Sequence, residues 1–259
     1  MNPELSRLSA SLDTLPKLAF AVSGGVDSMT LAHAARFLAI DFAVVHAISP
    51  AVPSSATERV KRHADAGGWN LTIIDAGEFR DENYLKNPVN RCYFCKSNLY
   101  GRIREIIKDG MIASGTNLDD LGDYRPGLKA ASEIGVVHPF VEARLRKQDV
   151  RSIARFLKLD DIAELPALPC LASRIETGIG INASDLIFVD KVERLVRSAI
   201  PDADVRCRIT HDGVQLQSSV SVATDLVEEI AAQCEAEERI WLGVSSYKRG
   251  SAFKHDHKE

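Results

Sequence analysis

Leu18-Ala19-Phe20-Ala21-Val22-Ser23-Gly24-Gly25-Val26-Asp27-Ser28 decides the fold of this chain. The apolar run Leu18–Val22 predicts a buried strand, the paired glycines a turn, and the residues beyond them a helix opening at about Ser28. A strand–turn–helix junction aims backbone N–H groups and a helix N-terminus at one point, which makes an anion site suited to phosphate. Glycine lets the backbone approach closely, and Ser23 and Ser28 add hydroxyl groups. Asp27 is the odd member, because a carboxylate beside phosphate repels it unless a divalent cation lies between them. The junction therefore predicts a magnesium nucleotide.

Outward from this segment, strand and helix signals alternate. Strands are predicted at Leu18–Val22, Phe42–Ile48, Leu71–Ile74, Met111–Ser114 and Val136–His138, with helices at Met29–Ile40, Ser55–Ala66 and Asn98–Lys108. This alternation predicts a doubly wound α/β fold, a parallel sheet with helices on both faces and ligands beyond the carboxyl ends of its strands. Lys147–Leu157 is an amphipathic helix, and Asp160–Ile181 reads as a long functional loop. A helix through Leu186–Ile200, strands Asp204–Thr210 and Gly213–Gln217, a helix Thr224–Cys234 and a strand Arg239–Val244 predict a second, smaller α/β domain. The expected division is a nucleotide domain over 1–158, a cysteine-bearing connection over 159–182 and the smaller domain over 183–259.

At 259 residues, 45% hydrophobic and 26% charged, the composition is that of an ordinary soluble globular protein. A net charge of -4 argues against bulk electrostatic binding of nucleic acid. No stretch approaches the roughly 20 apolar residues of a membrane span, and the first residues lack a secretory pattern, so the cytoplasm is expected. Five cysteines, an odd count, fit a reducing compartment and argue against a disulfide framework.

Cys92 and Cys95 form a CxxC, read as preceding a helix. Two thiolates cannot close a tetrahedral zinc site, and a thioredoxin-type CxxC would follow the first strand of a βαβ unit. A shared site with a distant third ligand, Cys170, remains, beside the plainer reading of two inert thiols at a helix start. Three cysteines on an iron–sulfur cluster would leave one iron open to an exogenous ligand. Cys170 lies in Pro-Cys-Leu-Ala-Ser-Arg, an electropositive, accessible setting that suits nucleophilic sulfur, although most free cysteines are simply buried. Cys207 and Cys234 fall at apolar positions and are expected in the core. Arg206 and Arg208 alternate on a strand and leave one face, an arrangement for a phosphate monoester or else a solvated basic edge.

Ser23–Ser28 resembles the SGGxDS PP-loop of the ATP pyrophosphatases, the adenine nucleotide alpha hydrolases, and lacks the lysine of the GxxxxGK[ST] loop. From about Leu18 to Arg208 the chain resembles the LarE family of sulfur transferases, which serve synthesis of the nickel-pincer nucleotide. The resemblance rests on Ser23–Ser28, Asn90–Lys96, Ser114–Gly127 with its Gly-Asp-Tyr-Arg-Pro-Gly, and Pro169–Ile175. It implies an enzyme that uses ATP and Mg2+ to adenylate a carboxylate of a pyridinium dicarboxylate mononucleotide, then replaces AMP with sulfur to give a thiocarboxylate. Some members sacrifice the sulfur of a cysteine at the position of Cys170, leaving dehydroalanine. Others hold a 4Fe-4S cluster on cysteines matching Cys92, Cys95 and Cys170, which carries a replaceable sulfide from a donor system. With all three present, the cluster is the expected route.

The resemblance further implies ATP binding by Ser23, Gly24, Gly25, Val26, Asp27, Ser28 and Gly115, and Arg125, in a rigid Tyr-Arg-Pro-Gly turn, is either an ATP-binding clamp on a nucleotide phosphate or a surface residue. Asp27 is the expected Mg2+ ligand, with Asp119, Asp120 or Asp123 as either a further oxygen ligand or turn formers. Arg206 and Arg208, aided by Arg174, are the expected site for the substrate phosphate. After Arg208 the chain departs from the family. Val214-Gln-Leu-Gln-Ser218 lacks an expected acidic group, and Tyr247-Lys248-Arg249-Gly250-Ser251 replaces a Tyr-Arg-x-Gly-Ser pattern, losing a bidentate fork. These changes bear on the identity of the acceptor. The competing readings are a tRNA thiolase or an ammonia-using ligase, and a non-catalytic iron–sulfur or nucleotide-binding protein. The family's tendency to assemble makes a homo-oligomer an expectation.

Overall fold

The computed structural model describes residues 2–122, 125–167 and 169–248. The chain divides into two compact units, one made of Met1–Asp81 and Asn90–Leu168, the other of Glu82–Val89 and Pro169–Glu259.

In the first unit, α1 (Pro3–Leu12) precedes β1 (Leu18–Ala21), α2 (Val26–Phe37), β2 (Phe42–Ile48), α3 (Ser54–Gly67) and β3 (Asn70–Asp75). After the short α4 (Glu82–Leu85), which belongs to the second unit, come α5 (Arg91–Ile107), β4 (Met111–Ser114), α6 (Pro126–Ile134), α7 (Pro139–Glu142), α8 (Lys147–Phe156) and α9 (Asp160–Ala163). The strands form a parallel sheet in the order β3-β2-β1-β4, with Ala21 opposite Val45 on one side and Ser114 on the other. Apolar residues line both faces. Leu5, Leu8 and Leu12 of α1 join Met29 and Ala32 of α2 and Val150, Ile153 and Ala154 of α8 in one cluster. Tyr100 and Ile103 of α5 and Ala131 of α6 meet Val45, Ile74 and Ile112 in the other. Each fully buried leucine stabilises this arrangement by roughly 1.5–3 kcal/mol. The fold is the doubly wound parallel α/β arrangement that the alternation predicts.

Strand order reverses between β1 and β4, so the segments leaving their carboxyl ends diverge and open a crevice. Ser23–Ser28 and Ser114–Asn117 are those two segments. The expected strand at Val136–His138 is reduced to a single bridge, Val137 with Ala113, because Pro139 cannot donate to a ladder and opens α7. The expected helix Asn98–Lys108 begins earlier, at Arg91, so Cys92 and Cys95 lie inside its first turns rather than before it.

The second unit contains α10 (Ala183–Ala199), β5 (Val205–Thr210), β6 (Gly213–Ser218), α11 (Thr224–Ala236) and β7 (Trp241–Ser246). Its mixed sheet has the order β5-β6-β7, the first pair antiparallel and the second parallel. Asp160–Ile181 is more ordered than a long loop. It holds α9 in the first unit and, in the second, a tight turn at Leu171–Arg174. Asn87, at φ 52°, donates its side-chain amide to the carbonyls of Glu176 (2.8 Å) and Ile179 (2.9 Å), while Ile181 N–H bonds Leu85 O at 2.8 Å. No helix among the described residues is long and apolar enough to cross a membrane.

Candidate functional site

β1 ends at Ala21, and the chain enters α2 at Val26 rather than Ser28. Gly24 has φ 81°, and a Cβ there would come 2.7 Å from Ala56 O, so both conformation and space require glycine. Gly25 is the N-cap and has no side chain to bond the first N–H groups of α2, which stay available to an anion. The two serines close the loop on itself. Ser28 Oγ accepts from Ser23 N–H at 3.1 Å, donates toward Gly25 O at 3.3 Å and meets Ser23 Oγ at 3.2 Å.

Neighbouring elements lock this turn. Arg59 of α3 donates to Gly24 O at 2.8 Å. His46 of β2 donates from Nδ1 to Val22 O at 2.8 Å, so Nε2 is left to accept from the Thr57 hydroxyl at 2.9 Å. Burial holds the ring below its ordinary pKa, which agrees with this neutral tautomer. From the far side of the crevice Gly115 closes on the start of α2, where a Cβ would lie 2.6 Å from Ser28 N and 2.8 Å from Asp27 C.

Asp27 stands at the mouth of the loop. Its Oδ2 accepts from Lys147 Nζ at 2.6 Å, and its Oδ1 from Asn117 Nδ2 at 3.2 Å. Neither Lys147 nor Asn117 stood among the expected site residues. A lysine opening α8 was the available signal, because cations are disfavoured at a helix N-terminus. Asp119 accepts from Lys147 N–H at 2.9 Å and from Arg146 Nη1 at 3.1 Å, so it works as a cap. Asp120 accepts from Asn117 N–H at 3.0 Å and pairs with Arg125 at 2.7 Å. Both aspartates thus have the turn-forming roles weighed for them. Asp123 lies outside the described residues, as do Arg249, Gly250 and Ser251. Asp27 has the donor chemistry and the position for Mg2+, with an ammonium already showing that a cation fits there.

Cys92 and Cys95 stand one turn apart on the same side of α5, each partly exposed. Gly127 of α6 packs against this turn, where a Cβ would meet Lys96 Cγ at 2.9 Å and Cys92 O at 3.4 Å. Paired soft donors on one helix suit two positions of an iron–sulfur cluster. Cys170 belongs to the other unit, and among the described residues no three His, Cys, Asp or Glu side chains are gathered as metal ligands.

In the second unit, partly exposed Cys170 caps the Leu171–Arg174 turn. Arg174 sends Nη1 to the carbonyls of Pro169 (2.7 Å) and Cys170 (3.2 Å), and Nε and Nη2 to the two oxygens of Glu193, each at 2.8 Å. Arg174 is thereby committed to holding the cysteine turn. Glu193, from α10, also accepts from Arg197 at 2.6 Å and from Cys207 N–H at 3.0 Å. Burial pushes its carboxyl up, yet the bonds and charge of Arg174 and Arg197 outweigh this and hold it below the ordinary range.

Arg206 and Arg208 are only 6% and 5% exposed, which overturns the solvated-edge alternative. Arg206 lies over the Tyr247 ring at 5.4 Å. Arg208 donates to Ser173 O at 2.8 Å and Gln217 Oε1 at 3.2 Å. Burial, with Arg174 and Arg206 nearby, lowers its guanidinium to about 10. Gln217 is neutral where an acidic partner was expected, so the arginines outnumber their buried carboxylate. Two buried guanidinium groups on one strand have the donor chemistry to hold an anion. Cys207 and Cys234 are fully buried, and burial raises both thiols.

A parallel α/β sheet with a glycine turn and helix N-terminus at its switch point is consistent with the PP-loop class. No family model matches the chain. It is 34% identical over 204 residues to the uncharacterized protein slr1717 of Synechocystis, covering 77% of this chain and 74% of that one. The chain belongs to the same family as slr1717. It is also 29% identical over 220 residues to the pyridinium-3,5-bisthiocarboxylic acid mononucleotide synthase of Lactiplantibacillus plantarum, covering 81% and 77%. The uncharacterized protein MJ0830 of Methanocaldococcus jannaschii is 27% identical over 190 residues, with 72% of each chain covered.

Proposed function

We propose that this protein is an ATP-dependent sulfur transferase that adenylates a carboxylate of a pyridinium dicarboxylate mononucleotide and converts it to a thiocarboxylate. One observation carries the reading: the uncapped N-terminus of α2 and Asp27 meet Gly115 at the reversal of the sheet. Similarity to the synthase named for a pyridinium bisthiocarboxylic acid mononucleotide supports a thiocarboxylate product.

A carboxylate does not accept sulfur directly, because its leaving group would be oxide. A carboxylate oxygen therefore attacks the α-phosphorus of ATP, and the α–β anhydride bond breaks with its electron pair passing to pyrophosphate. The first N–H groups of α2, with Gly24 and Gly25, receive that anion, and Arg125 stands as a further phosphate donor. Asp27 would hold Mg2+, which supplies positive charge beside the departing pyrophosphate. Arg206 and Arg208 bind the substrate phosphate, with Arg174 positioning the turn between them and Cys170. Sulfur then attacks the acyl carbon and AMP leaves. Cys170 would supply that sulfur itself through a thioester, the Cα proton then leaving to solvent as the Cβ–S pair passes to the thiocarboxylate and dehydroalanine remains. On the other route Cys92, Cys95 and Cys170 would be the ligands of a 4Fe-4S cluster, whose chemistry would be to present donated sulfide.

The test is anaerobic incubation with ATP, Mg2+ and pyridinium dicarboxylate mononucleotide, reading pyrophosphate and thiocarboxylate. Both products are expected in the wild type. Gly115→Ala is expected to reduce both at least about tenfold, some 1.4 kcal/mol of lost stabilisation, because its Cβ displaces the start of α2. Gly101→Ala, whose Cβ would meet nothing within 4 Å, is the control. Pyrophosphate release that ignores the pyridinium substrate would sink the proposal.

A further inference from the structure

The Asp27–Lys147 pair carries an inference about the first chemical step. Lys147 Nζ lies 2.6 Å from Asp27 Oδ2, and both side chains keep partial exposure, 35% and 26%, so an incoming ligand can reach the pair. The placement runs against local preference. A cation at the first residue of a helix faces the positive end of the helix dipole, which disfavours it there. The start of α8 does not need that ammonium, since Asp119 takes Lys147 N–H and Asp149 takes Arg146 N–H at 2.8 Å. The side chain is therefore left to serve the loop.

We infer that Lys147 is a catalytic residue that neutralises Asp27 until a magnesium nucleotide binds, and then transfers its charge to the departing pyrophosphate. The inference rests on the reading of Ser23–Ser28 as a magnesium-nucleotide loop. A divalent cation takes the Asp27 carboxylate more strongly than an ammonium does. The displaced ammonium stays anchored on α8 beside the loop, where the phosphate chain is the anion within reach. As the α–β anhydride bond breaks, pyrophosphate keeps the electron pair and gains charge. Lys147 meets that charge as an ammonium, and no proton changes hands. Asn117, buried at 1% exposure, holds Oδ1 and keeps the carboxylate oriented when Lys147 leaves Oδ2.

The exchange gives two effects of opposite sign, which damage to the loop would not. Isothermal titration of the full chain with Mg2+ alone, with magnesium pyrophosphate and with magnesium ATP reads both. Lys147→Met keeps the aliphatic stem and removes the charge. It is expected to bind Mg2+ alone about threefold or more tighter, because the competitor for Asp27 is gone. The same variant is expected to bind magnesium pyrophosphate about tenfold or more weaker, because the phosphate partner is gone. Lys147→Arg, which keeps the charge, is expected to recover part of the pyrophosphate affinity.

Unchanged affinities in Lys147→Met overturn the role of Lys147 while leaving the nucleotide loop standing. Losses of both affinities together overturn it too, as does Lys147→Arg behaving like Lys147→Met. A wild type that binds neither magnesium pyrophosphate nor magnesium ATP overturns the nucleotide reading itself, and the inference with it.

Discussion

Replacing Cys170 with alanine is expected to abolish thiocarboxylate formation while pyrophosphate release stays within about twofold, the size of an undisturbed surface change. The separation follows from how the turn is held. Arg174 grips the carbonyls of Pro169 and Cys170, so deleting the thiol removes no bond that shapes Leu171–Arg174. The residues assigned to adenylation lie at the turn from β1 into α2, just after β4, at Arg125 and at the start of α8, all in the other unit. Both sulfur routes need Cys170, as donor or as ligand, so sulfur transfer that persists in the variant defeats both. Mass spectrometry of the wild-type protein after one turnover separates them, because sacrifice removes the elements of hydrogen sulfide from the chain and a sulfide-carrying cluster does not.

Glu193→Ala is expected to destabilise the second unit by about 3–5 kcal/mol, the cost of stranding a buried charge. Glu193 accepts four hydrogen bonds, from Arg174 twice, from Arg197 and from Cys207 N–H. Without it Arg174, whose side chain is 1% exposed, has no carboxylate partner. The two tryptophans make the effect readable by unit: Trp69 reports the first and Trp241, on β7, the second. Urea unfolding in a Trp69→Phe background should show a lowered midpoint at Trp241, and an unchanged midpoint refutes the assignment. The pH dependence has a definite sign. The folded carboxyl titrates below its ordinary value of 4.5. Its stabilisation is therefore complete above that value and disappears as pH falls through the folded pKa. The Glu193 carboxylate outweighs burial and holds the Arg174 guanidinium above its ordinary range, so its share survives to strong alkali. Glu193→Gln is expected to flatten the acid limb.

Local signals made much of this legible in the sequence. Strand, glycine turn and helix are contiguous in Leu18–Ser28, and β2 and β4 appear at the predicted residues. The first turns of α5 were hidden because Cys92–Cys95 leaves no apolar stripe; Tyr100 and Ile103 carry that helix into the core. α1 could have been read from Leu5, Leu8 and Leu12, which follow helical spacing. Lys147 was out of reach for another reason. Its partner is 120 residues away, and no periodicity encodes a pairing across that distance. Glu193 reads locally as one more polar residue of an amphipathic helix. Only the turn at Leu171–Arg174, packed on α10 and β5, shows it to be buried at 0% exposure.

The neutral Gln217 beside Arg208 leaves a local excess of positive charge at this arginine cluster among the described residues. Among the described residues, the buried carboxylate acting on Arg174, Arg197, Arg206 and Arg208 is Glu193, and burial first, then repulsion from Arg174 and Arg206, lowers the guanidinium of Arg208. On the proposed reading, a bound dianion would bring the cluster toward electroneutrality, and occupancy and folding would reinforce each other by mass action. An acidic residue at position 217 would have reduced that excess within the protein. A glutamine leaves more of it to an incoming anion, and the substrate phosphate proposed for this site would then be part of the electrostatics that hold the unit together.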